Sequence, residues 1–193
     1  MHDHTNWTPS PDENKLHLTD KNLINEIEAK GIAAAELFVF GLDSDTPLST
    51  KLICEIHRIA FSDLYDWAGK WRQTSVLVGQ LIPPEPDRII NLMYQYIDNL
   101  NFKLENSTSR GEGIDCLVFA HYEFIRIHPF NNGNGRTGRI IMNLAAMKLG
   151  YRPLELYFRE GDGRKIYIEA MKAADKGDFE PLATLVRKEL TSF

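Results

Sequence analysis

Apolar residues recur at intervals of three and four along most of this chain, which is the period of an α-helix. Residues 106–113 are rich in turn-forming types and predict a loop, and Gly31 predicts a break within the first helical stretch. The pattern therefore predicts an all-α fold of six to eight helices. The stretches that carry it are 20–40, 50–60, 89–100, 114–127, 140–149, 164–175 and 178–190.

One short segment departs from the helical pattern. Its side chains are β-formers interrupted by a glycine–glutamine pair, and Pro83-Pro84 ends the run. We expect a small β-hairpin here. The residues assigned to it are Val76, Leu77, Val78, Gly79, Gln80 and Leu81.

Composition and charge narrow the class of protein. The 193 residues are 43% hydrophobic and 25% charged, and the length fits one compact domain. A formal net charge of −5 argues against a non-specific nucleic-acid surface. There is no apolar leader and no run of about eighteen apolar residues, so we expect no membrane association and a cytoplasmic location. Cys54 and Cys116 lie in apolar helical patterns and are expected to be buried free thiols.

The densest chemistry lies at residues 128–139, which read H-P-F-N-N-G-N-G-R-T-G-R. Proline disfavours helical backbone at the residue before it, so the preceding helix should end near His128. Gly133 and Gly135 permit backbone conformations that bring consecutive N–H groups to one point. Because a helix begins there, its N-terminus adds donors and a favourable dipole. The segment therefore predicts an anion site.

Side chains of the same segment suit phosphate chemistry. Arg136 and Arg139 are three residues apart on the predicted helix, and two guanidinium groups suit the oxygens of a di- or triphosphate. His128 is a candidate general base near neutral pH. Phe130 has no polar role and is expected to pack the loop against the core. Together these residues indicate phosphoryl or nucleotidyl transfer.

The remaining histidines are interpreted differently. His57 and His121 lie on apolar helix faces and are expected to be buried core residues. His2, His4 and His17 lie in the polar N-terminal arm, where no cluster of cysteines or carboxylates supports a metal site.

Residues 128–139 resemble the signature of the Fic (Fic/Doc) family. The resemblance extends to W-A-G-K-W-R at 67–72 with the hairpin segment after it, to 114–127 and to 167–171. It covers about 50–190, so we expect an N-terminal arm with helices over 1–49 and a Fic domain over 50–190 within a single compact domain.

The resemblance implies a Fic-type helical bundle and transfer of AMP from ATP to a Ser, Thr or Tyr hydroxyl of a target protein. His128 would deprotonate that hydroxyl, Tyr167 would lie near the nucleobase, and the hairpin would be a flap that aligns the target chain. Mg²⁺, or Mn²⁺, would accompany ATP. The implied phosphate-binding residues are Gly133, Asn134, Gly135, Arg136 and Arg139.

Asn132 is a departure from the family pattern. AMP-transferring members usually carry Asp or Glu at this position, where the carboxylate helps to bind Mg²⁺. A neutral amide oxygen should bind the metal more weakly. Two alternatives therefore stay open: a related phosphotransferase or transferase that uses another donor, and a catalytically weak nucleotide-binding module.

Residues 108–113 match, letter for letter, the Ser/Thr-x-x-x-Glu-Gly/Asn pattern of the family's inhibitory helix. Two glycines disfavour a helix there, so we interpret the match as coincidence. Two possibilities then remain: a separate small antitoxin-like protein inhibits this one, or there is no inhibitor.

Overall fold

The computed structural model describes residues 14–79, 81–156 and 161–192, and these contain seven α-helices and no β-strand. A 3-10 turn, Pro86–Arg88, precedes the third helix. The all-α prediction is confirmed. The helices are α1 (Lys21–Phe40), α2 (Thr50–Phe61), α3 (Ile89–Asn106), α4 (Arg110–Ile127), α5 (Asn134–Lys148), α6 (Gly161–Ala174) and α7 (Glu180–Glu189).

Helix α4 lies at the centre of the fold, where it packs against α3, α5 and α7. Helix α1 packs against α2 and α5, and α6 packs against α7. Leu117 and Phe124 of α4 and Ile141 of α5 are fully buried in the shared hydrophobic core. The loop that joins α4 to α5 therefore begins and ends on core helices.

Gly31 does not break the first helix. A Cβ atom on Gly31 would lie 2.1 Å from the carbonyl oxygen of Ala60, so glycine lets α1 approach α2 closely. The predicted break was wrong because this packing outweighs the helix-destabilising effect of one glycine.

Helix α4 begins earlier than predicted, within the expected loop over 106–113. Ser109 and Glu112 form a reciprocal capping box that outweighs the two glycines. The Glu112 carboxylate accepts hydrogen bonds from the backbone N–H groups of Thr108 and Ser109, and these bonds lower its pKa to about 2. The residues of the 108–113 match therefore form the N-terminal cap and first turn of α4.

The predicted β-hairpin is not confirmed. Val78 and Leu81 form one isolated antiparallel bridge through two hydrogen bonds of 3.0 Å. Gln80 lies outside the described residues. At the two ends of the segment, the carbonyl groups of Thr74 and Pro84 accept hydrogen bonds from the Arg72 guanidinium. A side chain thus joins the two ends where a strand ladder was expected. We call residues 74–84 the flap segment.

Both cysteines are free thiols, as predicted, with Cys116 buried and Cys54 half-buried. Burial raises the pKa of each to about 11. Among the described helices, none combines the length and the apolar character needed to cross a bilayer.

Candidate functional site

Residues 128–134, which we call the motif loop, connect α4 to α5. His128 caps the C-terminus of α4 in a left-handed conformation, with φ 51° and ψ 59°. Its Nδ1 lies 3.3 Å from the carbonyl oxygen of Ile125. A carbonyl can only accept a hydrogen bond, so Nδ1 carries the proton and Nε2 of the neutral ring keeps its lone pair. Burial, assisted by the charge of Arg72, lowers the pKa of His128 to about 4.

Arg72 joins the motif loop to the flap segment. Its side chain is fully buried, and its Nε donates to the carbonyl oxygen of His128 at 2.7 Å. Its backbone N–H donates to Pro129 at 2.9 Å, and its other guanidinium nitrogens donate to Thr74 and Pro84. No local pattern in the sequence indicated a role for Arg72. The one signal was its place next to Trp71 in the segment that resembles the family.

Asn134 closes the motif loop through its side chain. Its Oδ1 accepts from the backbone N–H of Phe130, and its Nδ2 donates to the carbonyl oxygen of Phe130, both at 2.9 Å. Asn134 is 2% exposed and the Phe130 ring is fully buried. The side chain of Asn134 is therefore engaged in the loop, so an anion at the start of α5 would meet the backbone N–H of this residue.

His57 of α2 contacts the motif loop on its buried side. The ring is fully buried and stacks on Phe130 at a centroid distance of 3.6 Å. Nδ1 accepts a hydrogen bond from the N–H of Gly69 at 2.8 Å, and Nε2 lies 3.0 Å from the carbonyl oxygen of Asn132. Burial lowers the pKa of His57 to about 3. The expectation of a buried core histidine is confirmed.

The N-terminus of α5 presents backbone donors. Gly133 caps it with φ 75°, and a Cβ there would lie 2.5 Å from the Phe61 ring. The N–H groups of Asn134, Gly135 and Arg136 have no carbonyl acceptor within the described residues. The N–H of Gly133 donates to Oδ1 of Asn132 at 2.6 Å. A helix start with these donors suits an anionic group.

The two arginines of α5 reach different neighbours. Arg136 forms an ion pair with Glu28 of α1 at 2.6 Å, and its Cζ lies 4.6 Å from the centroid of the Phe61 ring. Glu28 is 4% exposed and also accepts a hydrogen bond from the Tyr65 hydroxyl at 3.0 Å. No local pattern in the sequence indicated Glu28 as a partner of Arg136.

Arg139 lies on the side of α5 that faces α4 and α6. Its Nη1 would be 3.6 Å from a Cβ on Gly135. Its charge acts to lower the pKa of His121 and of Tyr167, although burial dominates and raises the pKa of Tyr167 to about 12. The Tyr167 hydroxyl lies 2.7 Å from Nε2 of His121, which is fully buried as expected.

An open groove of about 490 Å³ separates the flap segment from the motif loop. Trp67 and Trp71 form its apolar side, and Lys70, Asn131 and Asn132 contribute polar groups. Of the predicted flap residues, Val76 lines the groove and Leu77 is 69% exposed.

Comparison with known proteins decides the family. Residues 47–146, which include α2, the flap segment and the whole motif, match the model of the Fic/DOC family. The chain belongs to the Fic/DOC family. The predicted family resemblance is thereby confirmed.

Relatives in the Fic family carry the name protein adenylyltransferase. The protein adenylyltransferase Fic of Nematostella vectensis is 29% identical over 179 residues, which are 91% of this chain and 40% of that protein. The one from Drosophila grimshawi is 30% identical over 177 residues, 90% of this chain and 35% of that protein. The chain thus spans about two fifths or less of the length of these curated relatives.

Solved Fic structures share the fold. Fic-1 of C. elegans (residues 134–508) superposes with a TM-score of 0.74 at 28% identity, covering 89% of this chain and 50% of that one. BepC of Bartonella tribocorum, solved with bound AMPPNP, gives a TM-score of 0.73 at 20% identity and covers 98% of this chain and 97% of its own. At that identity the second likeness concerns the fold alone.

Proposed function

We propose that this chain is a protein adenylyltransferase, which transfers AMP from ATP to a Ser, Thr or Tyr hydroxyl of a target protein. One observation carries the proposal: the neutral imidazole of His128 keeps the lone pair of Nε2 while its backbone leads directly into the donor-rich start of α5. The adenylyltransferase names of relatives at 29% and 30% identity support the same activity.

The reaction follows from this arrangement. The target hydroxyl gives its proton to Nε2 of His128, and its oxygen forms a bond to the α-phosphorus of ATP. The bond from that phosphorus to the bridging oxygen breaks, and pyrophosphate leaves. The N–H groups of Gly133, Asn134 and Gly135 would stabilise the negative charge that develops on the α-phosphate. Donors that are oriented in advance for such charge are commonly the largest catalytic contribution.

The outer phosphates would be bound first by Arg139. Arg136 already pairs with Glu28. Its positive charge would therefore attract the phosphates from a distance, and its guanidinium would contact them directly only if that ion pair opens. Tyr167 lies on α6 near Arg139, and we assign the nucleobase to the surroundings of its ring.

The residues present fit a magnesium ion that arrives with the nucleotide. Asn132 Oδ1 lies 2.6 Å from the Gly133 nitrogen, beside the proposed phosphate position. No group of three His, Cys, Asp or Glu side chains occurs within the described residues. Protein-bound Mg²⁺ often keeps several waters and relies on substrate phosphates. When bound, Mg²⁺ or Mn²⁺ would neutralise phosphate charge, with Asn132 as one neutral ligand.

The target chain would lie in the groove between the flap segment and the motif loop, against Trp67 and Trp71. A separate small inhibitor protein would act on the same face by covering the groove. Both partners belong to the proposal.

A second candidate is transfer of a different phosphate-containing group, and Asn132 is the observation that favours it. ATP labelled at the α- or the γ-phosphate distinguishes the two when it is incubated with cell lysate and wild-type protein or His128→Ala. Protein labelled only from the α position, and only by wild type, supports AMP transfer. Label from the γ position indicates phosphorylation. If neither label appears with Mg²⁺ or Mn²⁺, another donor or a nucleotide-binding module is indicated.

A further inference from the structure

We infer that His57 is a positioning residue for the anion site: its imidazole fixes the direction of the Gly133 N–H by binding the Asn132 carbonyl. The inference rests on the proposed function, because it assigns a role to a residue beneath the same site. His57 lies 75 residues before Asn132 in the chain and does not border the groove.

The tautomer of His57 follows from its two partners. The Gly69 N–H can only donate, so Nδ1 of His57 accepts and carries no proton. The proton of the neutral ring is then on Nε2, which donates to the Asn132 carbonyl oxygen at 3.0 Å. Burial, with the nearby charge of Arg136, keeps the ring neutral. Both ring nitrogens are therefore satisfied in one orientation only.

A planar trans peptide transmits this orientation to the other side of the loop. The chain has no cis peptide bond among the described residues, so the Asn132 carbonyl and the Gly133 N–H point in opposite directions. A donor beneath the loop at the carbonyl therefore turns the N–H of Gly133 outward. In this structure that N–H meets an oxygen, Oδ1 of Asn132, at 2.6 Å. An oxygen of the substrate phosphate would take the same donor.

The His57 ring packs closely against this peptide. The His57 ring is stacked on Phe130, and its Nε2 would be 3.2 Å from a Cβ on Gly133. Gly133 itself has φ 75°. The ring therefore packs against the Asn132–Gly133 peptide and also donates a hydrogen bond to it. Substitutions that all remove the ring but differ in the hydrogen bond test the second contribution by itself.

Two amide substitutions form a matched pair for the test. In His57→Gln the amide nitrogen lies as many bonds from Cα as Nε2 does, so the bond to Asn132 can be kept while the acceptor for Gly69 is lost. In His57→Asn the amide oxygen takes the place of Nδ1, so the bond from Gly69 is kept and the Asn132 bond is lost. Each variant loses one hydrogen bond and the ring, so a purely structural role predicts a loss of stability in both and no selective loss of kcat in His57→Asn.

The measurements are kcat and KM for AMP transfer from ATP with Mg²⁺, together with urea unfolding. We expect His57→Asn to lower kcat by at least about tenfold, with KM for ATP changed less than about threefold, because the Gly133 N–H would no longer be directed at the charge that develops in the transition state. His57→Gln should stay within about threefold of wild type. Equal losses in both variants, or wild-type kcat in His57→Asn, would overturn the inference.

A structural readout separates this inference from the proposed function. The ¹⁵N–¹H resonance of the Gly133 amide should move in His57→Asn and remain near its wild-type position in His57→Gln. If wild-type protein transfers no AMP but this pattern is observed, the proposed function fails while the positioning role stands. If both variants shift the resonance equally, the positioning role is wrong whatever the enzyme does.

Discussion

Arg136 and Glu28 form an ion pair of 2.6 Å across 108 residues of sequence, and it connects the motif helix α5 to the first helix. The Glu28 side chain is 5% exposed and that of Arg136 is 27% exposed. The Tyr65 hydroxyl donates to the other carboxylate oxygen of Glu28. An arginine of the proposed phosphate-binding motif is therefore also part of the packing between α1 and α5.

A double-mutant cycle should reveal this pair in the free energy of unfolding. Breaking a largely buried pair leaves a charge without its partner, so Glu28→Gln and Arg136→Gln should each destabilise the protein by about 2–3 kcal/mol. The double mutant should be destabilised by about 1–2 kcal/mol less than the sum of the two single-mutant losses. Urea unfolding measures all four proteins. Glu26→Gln, which breaks an exposed pair with Lys30 on the same helix, is the control and should show no resolvable change. Additive losses would contradict the prediction.

Loss of the base should remove transfer without removing nucleotide binding. His128→Ala is expected to lower kcat by about 10²–10⁴-fold, as is usual for a general base, while the affinity for ATP changes only a few-fold. Single-turnover AMP transfer and calorimetric binding of ATP measure the two quantities. A variant that kept wild-type transfer would show that another group accepts the proton.

The lowered pKa of His128 gives the pH profile of kcat/KM a definite shape. With a pKa of about 4, the base form is lost only as the pH falls through about 4. An unperturbed histidine would lose half of its base form near pH 6.5. We therefore expect no acid limb from this group between pH 7.5 and 5.5. A midpoint near 6.5 in steady-state rates would contradict the assignment of His128 as a buried neutral base.

Three histidines with lowered pKa values should make the protein sensitive to mild acid. His57, His121 and His128 have pKa values lowered to about 3, 4 and 4, chiefly by burial, so they stay neutral in the folded state. The unfolded chain takes up these protons near pH 6.5, so stability is present above that pH and is lost as the pH falls toward 4. Each contributes up to about 1.4 kcal/mol per pH unit. Urea unfolding between pH 7 and 5 measures the slope, and a flat profile would contradict the prediction.

Arg72 should be required for order in the flap segment. Arg72→Lys keeps the charge but cannot reproduce donors to three carbonyls in one plane, and we expect a loss of about 2–4 kcal/mol in unfolding free energy. Amide hydrogen exchange should accelerate over 74–84 and at the motif loop, with helices α6 and α7 unchanged. Lys70→Arg serves as the control, because Lys70 is exposed and lies two residues before Arg72 in the chain. Unchanged exchange over 74–84 would show that the segment is ordered by other contacts.

Gly133 and Gly177 allow steric and conformational costs to be separated. Both have positive φ, 75° and 87°, but a Cβ on Gly133 would lie 2.5 Å from the Phe61 ring while a Cβ on Gly177 meets nothing within 4 Å. Gly177→Ala should cost about 1 kcal/mol of stability and leave AMP transfer intact. Gly133→Ala should cost more, about 3 kcal/mol, and reduce transfer at least a hundredfold. Thermal unfolding and labelled-ATP transfer measure both, and equal behaviour would contradict the steric argument.

The helices and the motif were predictable because their signals are local. Apolar periodicity gave the all-α fold, and the proline after His128 placed the end of α4 correctly. The roles of His57, Arg72 and Glu28 were not predictable, because their partners lie 75, 56 and 108 residues away in the chain. Tertiary packing alone brings such pairs together. Asn134 shows a second limit of sequence-based prediction. The motif identifies the residue, but it does not indicate that the side chain bonds to the backbone of Phe130.

Local rules failed where two of them competed. The glycines at 111 and 113 argued for a loop, but the Ser109–Glu112 capping box starts a helix there. The β-forming residues of the flap segment argued for two strands, but the described part contains one bridge between Val78 and Leu81. In each case a few specific hydrogen bonds outweighed the average preference of the residues nearby.

The bonds from Arg72 to Thr74 and Pro84 have a consequence for how members of this family can diversify. One buried side chain joins the two ends of the flap segment and also contacts His128, the proposed base. The tip between those ends has Leu77 and Ile82 exposed, so we expect its sequence to vary without a change in the position of His128. Grafting the tip of a relative between residues 75 and 83 is then expected to change the preference for a target while the proposed transfer chemistry is kept.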